Sequence, residues 1–252
     1  MKTGTLYTIL LCAISVGFVG WRVYALKNRQ TPQIGLLEDP SLSHAEGCGS
    51  LLGLAEKALN TEGISSGSTL TVMVIGDAIT ANEPWQLGTY SIPTIRKVLE
   101  GRSANSQRQQ DVRHDIWSKC QAVRRTTVSP IFFGVEQAVA DLRARGCTET
   151  SHCQLSVNSD LEENVEPSIK KSLNGTTGEK TILPLIDNNG IDVTFCGLAV
   201  TTGHLADSSS RGFRKAPLRN SGREDRLRQT WLILFTRPET VRFEPYCPQS
   251  RY

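Results

Sequence analysis

The sequence predicts an α/β fold built on a mostly parallel sheet, and three observations carry that expectation. The run Leu70-Thr-Val-Met-Val-Ile75 is continuously apolar and β-rich, the pattern of a strand buried on both faces. Two later runs, Leu155–Val157 and Ile191-Asp-Val-Thr-Phe-Cys-Gly-Leu198, also read as strands. Between and after them lie segments with helical spacing, so strands alternate with helices as in a parallel sheet with crossover connections.

Length and charge set the frame. The chain has 252 residues, which a membrane-type leader and one domain of ordinary size would use up. Charged residues make up 21% and the formal net charge is only +3, so the body reads as globular. Basic residues cluster modestly at Arg211–Arg228 with Phe213 the one aromatic among them, and no nucleic-acid partner is expected.

Residues 5–21 contain no charge, with Lys2 before them and Arg22, Lys27 and Arg29 after. That length is at the short end of what spans a bilayer. No small-x-small cleavage site closes the run, and Trp21 and Tyr24 suit a membrane interface, so residues 1–27 read first as a single transmembrane anchor. A cleaved signal peptide and a buried helix are the competing readings. Lysine and arginine counts across the run favour a cytoplasmic body. Cys48, Cys120, Cys147, Cys153, Cys196 and Cys247 would permit three disulfides in an oxidising compartment, and they tip the expectation toward an extracytoplasmic body. Cys153 and Cys196 also fall at or inside strand-like runs, where a small buried hydrophobe is the alternative.

Residues 28–67 hold Pro32, Gly35, Pro40, Gly47 and Gly49 with several serines, and read as a linker containing a short helix at Leu51–Leu59. Residues 68–252 form the expected α/β domain. After the Leu70–Ile75 strand, Asn82–Gly88 is rich in turn residues, and Ile92–Leu99 has helical spacing. Residues 101–128 are polar and basic and show no strand. Ser129-Pro130 opens a helix along which Ile131, Val135, Val139 and Leu142 recur; Ser129 is the expected N-cap, Pro130 the first helical residue and Gly146 the end. Pro167–Leu173 can make a helical turn or two, Asn188-Asn-Gly190 a turn, Thr201–Gly222 a flexible loop, Glu224–Phe235 a helix and Thr240–Phe243 a final strand.

Two strand-like runs lead into acidic residues, Asp77 and Asp160. In an open parallel sheet, ligands bind beyond the carboxyl ends of the strands. These carboxylates, with hydroxyls from Thr80 and Ser129, are the oxygen types that a hard cation such as Mg²⁺ requires. Acidic residues after strands also serve simply as turn formers and caps. Glu162, Glu163 and Glu166 add an acidic rim beside Asp160, read as a solvated loop or a contact surface.

The order of these features resembles a von Willebrand factor A domain over about residues 68–247. The resemblance rests on a strand ending in Asp77, the helix led by Ser129-Pro-Ile-Phe-Phe-Gly-Val-Glu-Gln-Ala, the strand ending Ser159-Asp160, and the Gly-Ile-Asp-Val-Thr-Phe-Cys-Gly-Leu strand. It implies a Rossmann-like sheet flanked by helices. It also implies a metal-ion-dependent adhesion site at the sheet's top, where an Asp-x-Ser-x-Ser loop, a separate Thr and a separate Asp hold Mg²⁺ whose open position takes a partner's carboxylate. Asp77, Ser129 and Asp160 match three of those positions. Ile79 and Ala81 stand where the loop serines belong, and Thr80 is one position off, so the site is expected to be degenerate, with Mg²⁺ bound weakly or not at all.

Other motifs are incomplete. Ile75-Gly-Asp77-Ala78 is similar to the Gly-Asp-Ser block of an esterase family, but Ala78 occupies the nucleophile position. An Asp-x-Asp-x-Thr phosphatase loop would need an acid at Ile79. His114, His152 and His204 are scattered, and no Gly-rich phosphate loop occurs. Asn174-Gly-Thr176 matches a glycosylation acceptor. The expectation is a membrane-tethered, non-enzymatic interaction protein whose binding face comprises Asp77, Thr80, Ser129, Asp160, Glu162 and Glu163. Its alternatives are an α/β hydrolase with an unidentified nucleophile and a structural subunit of an envelope assembly.

Overall fold

The computed structural model describes residues 32–41, 47–60, 68–75, 85–91, 102–126, 128–151, 153–163, 165–173, 183–198 and 221–250. Among them six strands form one sheet: β1 (Gln33–Glu38), β2 (Thr69–Val74), β3 (Trp85–Ser91), β4 (Cys153–Asn158), β5 (Ile191–Cys196) and β6 (Val241–Glu244). The helices are α1 (Cys48–Asn60), α2 (Arg102–Gln121), α3 (Ile131–Ala144), α4 (Pro167–Leu173) and α5 (Ser221–Leu232).

The strand order is β3-β2-β1-β4-β5-β6. All neighbours are parallel except β2 and β3, which run antiparallel with a bulge between Val72 and Met73. The sheet therefore grows outward in both directions from β1. The crevice between β1 and β4 is the switch point where such sheets bind their ligands.

β1 lies inside the stretch read from sequence as a linker, and this corrects that reading. Its six residues are all buried. Ile34 and Leu36 join the core under α1 and α2, while Leu37 joins the core under α3, α4 and α5. Gly35 is what lets the second layer close: a Cβ there would stand 2.9 Å from Leu155 Cδ1 and 3.1 Å from Leu142 Cδ1. A central strand buried on both faces outweighs the local turn preference of the surrounding prolines and glycines. The short helix expected at Leu51–Leu59 is present inside α1.

One further segment departs from expectation, and one that carried no assignment is a helix. Trp85–Ser91 forms the antiparallel edge strand β3 rather than a loop. The polar stretch 101–128 holds the 20-residue helix α2, which buries Ile116 and Cys120 against α1. The other described strands and helices fall close to where the spacing placed them. Ser129 is not the cap of α3, however. The N-cap is Pro130, with no side-chain cap bond, and the helix begins at Ile131. Gly146 ends α3 at φ +97° and Gly190 makes its turn at φ +77°, both in the left-handed region that favours glycine.

Three disulfides join Cys48 to Cys120, Cys147 to Cys153 and Cys196 to Cys247. They tie α1 to α2, the end of α3 to the start of β4, and β5 to the C-terminal segment. Cys153 and Cys196 are thus paired cysteines rather than free buried ones. Among the described residues no helix is long and apolar enough to cross a membrane. The expected anchor, residues 1–27, lies outside them.

Candidate functional site at the ends of β1 and β4

Asp39 follows the last residue of β1, and its backbone N–H donates to the Asn158 carbonyl at 3.0 Å. That bond seats it beside the end of β4. Its carboxylate gathers hydroxyls from two other parts of the chain: Ser129 Oγ lies 2.8 Å from both oxygens and Ser159 Oγ 2.9 Å from Oδ2. The Ser41 N–H donates to Oδ1 at 3.0 Å, so the carboxylate also closes the turn that follows the strand. Asp39, Ser41, Ser129 and Ser159 are all buried.

Asp160 stands two residues beyond β4 and is fully buried. Its Oδ1 accepts the Glu162 N–H at 3.0 Å, while Ser159 Oγ accepts the Leu161 N–H at 3.0 Å. Leu161 takes φ +61°, a left-handed conformation uncommon for a bulky residue and characteristic of functional turns. The Trp231 indole N–H holds the Leu161 carbonyl at 3.2 Å, so a core aromatic of α5 supports this turn from below.

Glu163 is not on a solvated rim, as the sequence suggested. It is only 4% exposed, and its carboxylate accepts the backbone N–H of Phe132, Val165 and Glu166 at 2.7, 2.7 and 3.0 Å. It performs the capping role expected of Ser129, satisfying an otherwise open donor in the first turn of α3. Burial raises the Glu163 carboxyl above its ordinary range, against the downward pull of its three N–H donors, with a further push from the charge on Asp39. Glu162 is partly exposed and pairs with Arg223 at the start of α5. Glu166 accepts from Ser168 N and Oγ at the start of α4.

Of the residues expected to form the site, the structure brings Ser129, Asp160, Glu162 and Glu163 to one end of the sheet. Asp77 and Thr80 lie outside the described residues. The acidic partner of Ser129 is Asp39, a residue that the linker reading passed over. The signal was present: Asp39-Pro-Ser41-Leu-Ser43 has the Asp-x-Ser-x-Ser spacing that Asp77 lacks. Ser43 lies outside the described residues.

The buried charged residues described at this end are all acidic. Glu38, Asp39, Asp160 and Glu163 are buried there, and the buried residues described include no Lys, Arg or His. Glu38 accepts the Asn158 amide at 2.6 Å. Burying carboxylates is costly unless hydrogen bonds or a positive charge compensate. Among the described residues no three His, Cys, Asp or Glu side chains cluster so as to hold a metal ion. The oxygens available are instead two carboxylates with serine hydroxyls, a set that suits Mg²⁺ better than Zn²⁺.

Beside this site, at the ends of β1 and β2, is a cavity of about 340 Å³. Glu38, Asp39 and Ser41 form one wall, Trp117, Gln121 and Arg125 another, and the Cys48–Cys120 disulfide lies between.

The chain is an α/β protein with a doubly wound, mostly parallel sheet whose switch-point carboxylates lie at the ends of β1 and β4. No protein-family profile matches it, and no curated protein matches it in sequence. Among solved structures it is similar to an aerotolerance-related membrane protein from Bacteroides fragilis, at 11% identity and a TM-score of 0.40, covering 84% of this chain and 90% of that one. It is also similar to BatB, a conserved hypothetical protein from Bacteroides thetaiotaomicron, at 10% identity and a TM-score of 0.39, covering 85% and 91%. Likeness at this level carries no argument about function.

Proposed function

We propose that this protein is a membrane-tethered, non-enzymatic interaction domain of the von Willebrand factor A type. Its partner binds at the ends of β1 and β4 around a divalent cation. The observation that carries the reading is the concentration of four buried carboxylates at the switch point, with the Ser129 and Ser159 hydroxyls on Asp39. The cation would be held by the Asp39 and Asp160 carboxylates with the hydroxyls of Ser41 and Ser129, and it would supply positive charge and an open position for a partner's acidic group. The Asp-x-Ser-x-Ser spacing at 39–43 supports a site on β1 rather than at Asp77, where Ile79 and Ala81 lack the hydroxyls. Glu162, on the rim, contributes to the partner-facing surface; Glu163 supports it from beneath as the α3 cap.

The tether is the uncharged run at 5–21. An extracytoplasmic body suits the three disulfides, because such bonds persist in oxidising compartments.

The test uses the full chain in detergent. Mg²⁺ or Mn²⁺ at a hundredfold excess over its dissociation constant should stabilise the wild type by about 2.7 kcal/mol in thermal melts. Asp39→Asn and Asp160→Asn should abolish that shift. No stabilisation of the wild type by either ion sinks the cation site. Co-purification from membranes, compared between wild type and Asp39→Asn, then tests whether this face recruits a protein.

A further inference from the structure

The three disulfides are not equally placed. Cys147, Cys153, Cys196 and Cys247 are each 5% exposed or less. Cys48 is partly exposed, and with Cys120 it lines the 340 Å³ cavity beside Asp39 and Ser41. Cys48 is also the first residue of α1, where the positive end of a helix stabilises a thiolate. Arg125 lies over the same turn, its guanidinium nitrogen 3.1 Å from where a Cβ on Gly47 would sit. Thiolate stabilisation favours the reduced form of a pair and makes its disulfide the more easily opened.

The position of this bond in the chain gives it a consequence. Cys48 lies seven residues after Ser41 in the chain, and Cys120 six before Thr126. Ser41 and Thr126 form an isolated parallel bridge, and the Thr126 N–H donates to the Pro40 carbonyl at 3.2 Å. The disulfide thus staples together the two segments that flank the Asp39 carboxylate.

We propose that Cys48–Cys120 is a reversibly reducible disulfide, open to thiol–disulfide exchange through the adjoining cavity, and that its state sets the order of the Ser41 and Thr126 segments. The reductant is a dithiol, either a small molecule or the active-site pair of an oxidoreductase. One of its thiolates attacks Cys48 Sγ and forms a mixed disulfide, expelling the Cys120 thiolate, which takes up a proton. The second thiol of the reductant resolves the mixed disulfide. Two electrons pass to the protein, Cys48 and Cys120 end as thiols, and the dithiol ends as a disulfide.

The experiment is graded reduction of the folded, metal-free full chain with dithiothreitol, followed by alkylation and peptide mass mapping. Cys48 and Cys120 should become alkylated at reductant concentrations at least about tenfold below those that open the other two pairs, a difference of about 30 mV. Opening of all three together, or of this pair last, overturns the proposal. Arg125→Gln should shift the equilibrium back toward the disulfide, and an unchanged equilibrium counts against the assigned chemistry. Hydrogen exchange on the selectively reduced wild type should show faster exchange at the Thr126 amide. Selective reduction that leaves that amide as protected as before refutes control of the loop. Neither readout needs a cation to bind, so both remain decisive if the metal titration fails.

Discussion

Ser129 and Asp39 are 90 residues apart in the chain, yet the serine hydroxyl lies 2.8 Å from each oxygen of the carboxylate. Both groups are buried, so the contact is a structural bond as well as a feature of the site. Ser129→Ala should cost about 1.5–3 kcal/mol, the range for a hydrogen bond to a charged group whose partner stays buried. Ser129→Thr keeps the hydroxyl and should recover most of that loss. Urea unfolding of the three proteins measures both differences, and equal stability of the alanine and threonine variants would show that the hydroxyl contributes nothing.

Two glycines separate steric from conformational cost. A Cβ on Gly53 would stand 2.0 Å from the Pro248 carbonyl oxygen, so Gly53→Ala must push the C-terminal segment off α1. Overpacking of this kind costs about 1–3 kcal/mol. It should also expose residues 245–250 to carboxypeptidase. Gly146 sits at φ +97° with open space around it, so Gly146→Ala should carry only backbone strain of about 1–2 kcal/mol. Its melting temperature should fall while the C-terminus keeps its protease resistance.

Glu163 gives the metal-free protein a distinctive pH response. Its carboxyl is raised in the folded state, first by burial, so the native protein holds this proton more tightly than the unfolded chain. The favourable contribution of the protonated form is fully present below the ordinary glutamate value. It is lost as pH rises through the folded value. Glu163→Gln removes the titration. The melting temperature of the wild type relative to this variant should therefore fall between pH 4 and pH 7 in the presence of a chelator. A constant difference across that range would contradict the raised carboxyl.

Trp231 is fully buried, packs on Phe195 at a ring separation of 5.4 Å, and donates its indole N–H to Leu161. Trp231→Ala should cost about 3–5 kcal/mol in thermal or urea unfolding. Trp231→Phe keeps much of the apolar volume but not the donor. Its loss should be smaller and concentrated at the strand-end turn, seen as faster hydrogen exchange at Leu161 and Glu162 with core amides unchanged.

The parts of the fold that were legible in the sequence are those whose pattern is strong locally. α3 shows its apolar stripe, and β2, β4 and β5 show apolar or alternating runs. β1 was hidden because Pro32, Gly35 and Pro40 mark turns in an exposed chain. Here Gly35 is needed for close packing, and the prolines merely bracket the strand. α2 was hidden because Val112, Ile116 and Cys120, spaced by four, form a thin apolar stripe in a polar run; with its cysteine bonded to α1, that stripe suffices. The site was half legible for the same reason. Ser129 and Asp160 lie at one end of the sheet, although Ser129 is not the helix cap its position suggests. Asp39 is hard to single out, because its Asp-x-Ser-x-Ser spacing lies in a stretch whose prolines and glycines read as a linker. Glu163 reads only as part of an acidic rim, since a helix cap supplied from 31 residues downstream has no local signature.

β1 also has a mechanical meaning. The chain leaves it directly into Asp39, so the candidate site hangs on the end of the central strand. A pull on Asp39 along the chain would run along that strand's axis. Its neighbours β2 and β4 grip it from both sides, through six and five register pairs. Pulling lengthwise shears those ladders together, whereas peeling an edge strand opens its bonds in sequence. The load would pass through the centre of the sheet, leaving the helices, and the disulfide that ties α1 to α2, outside its path.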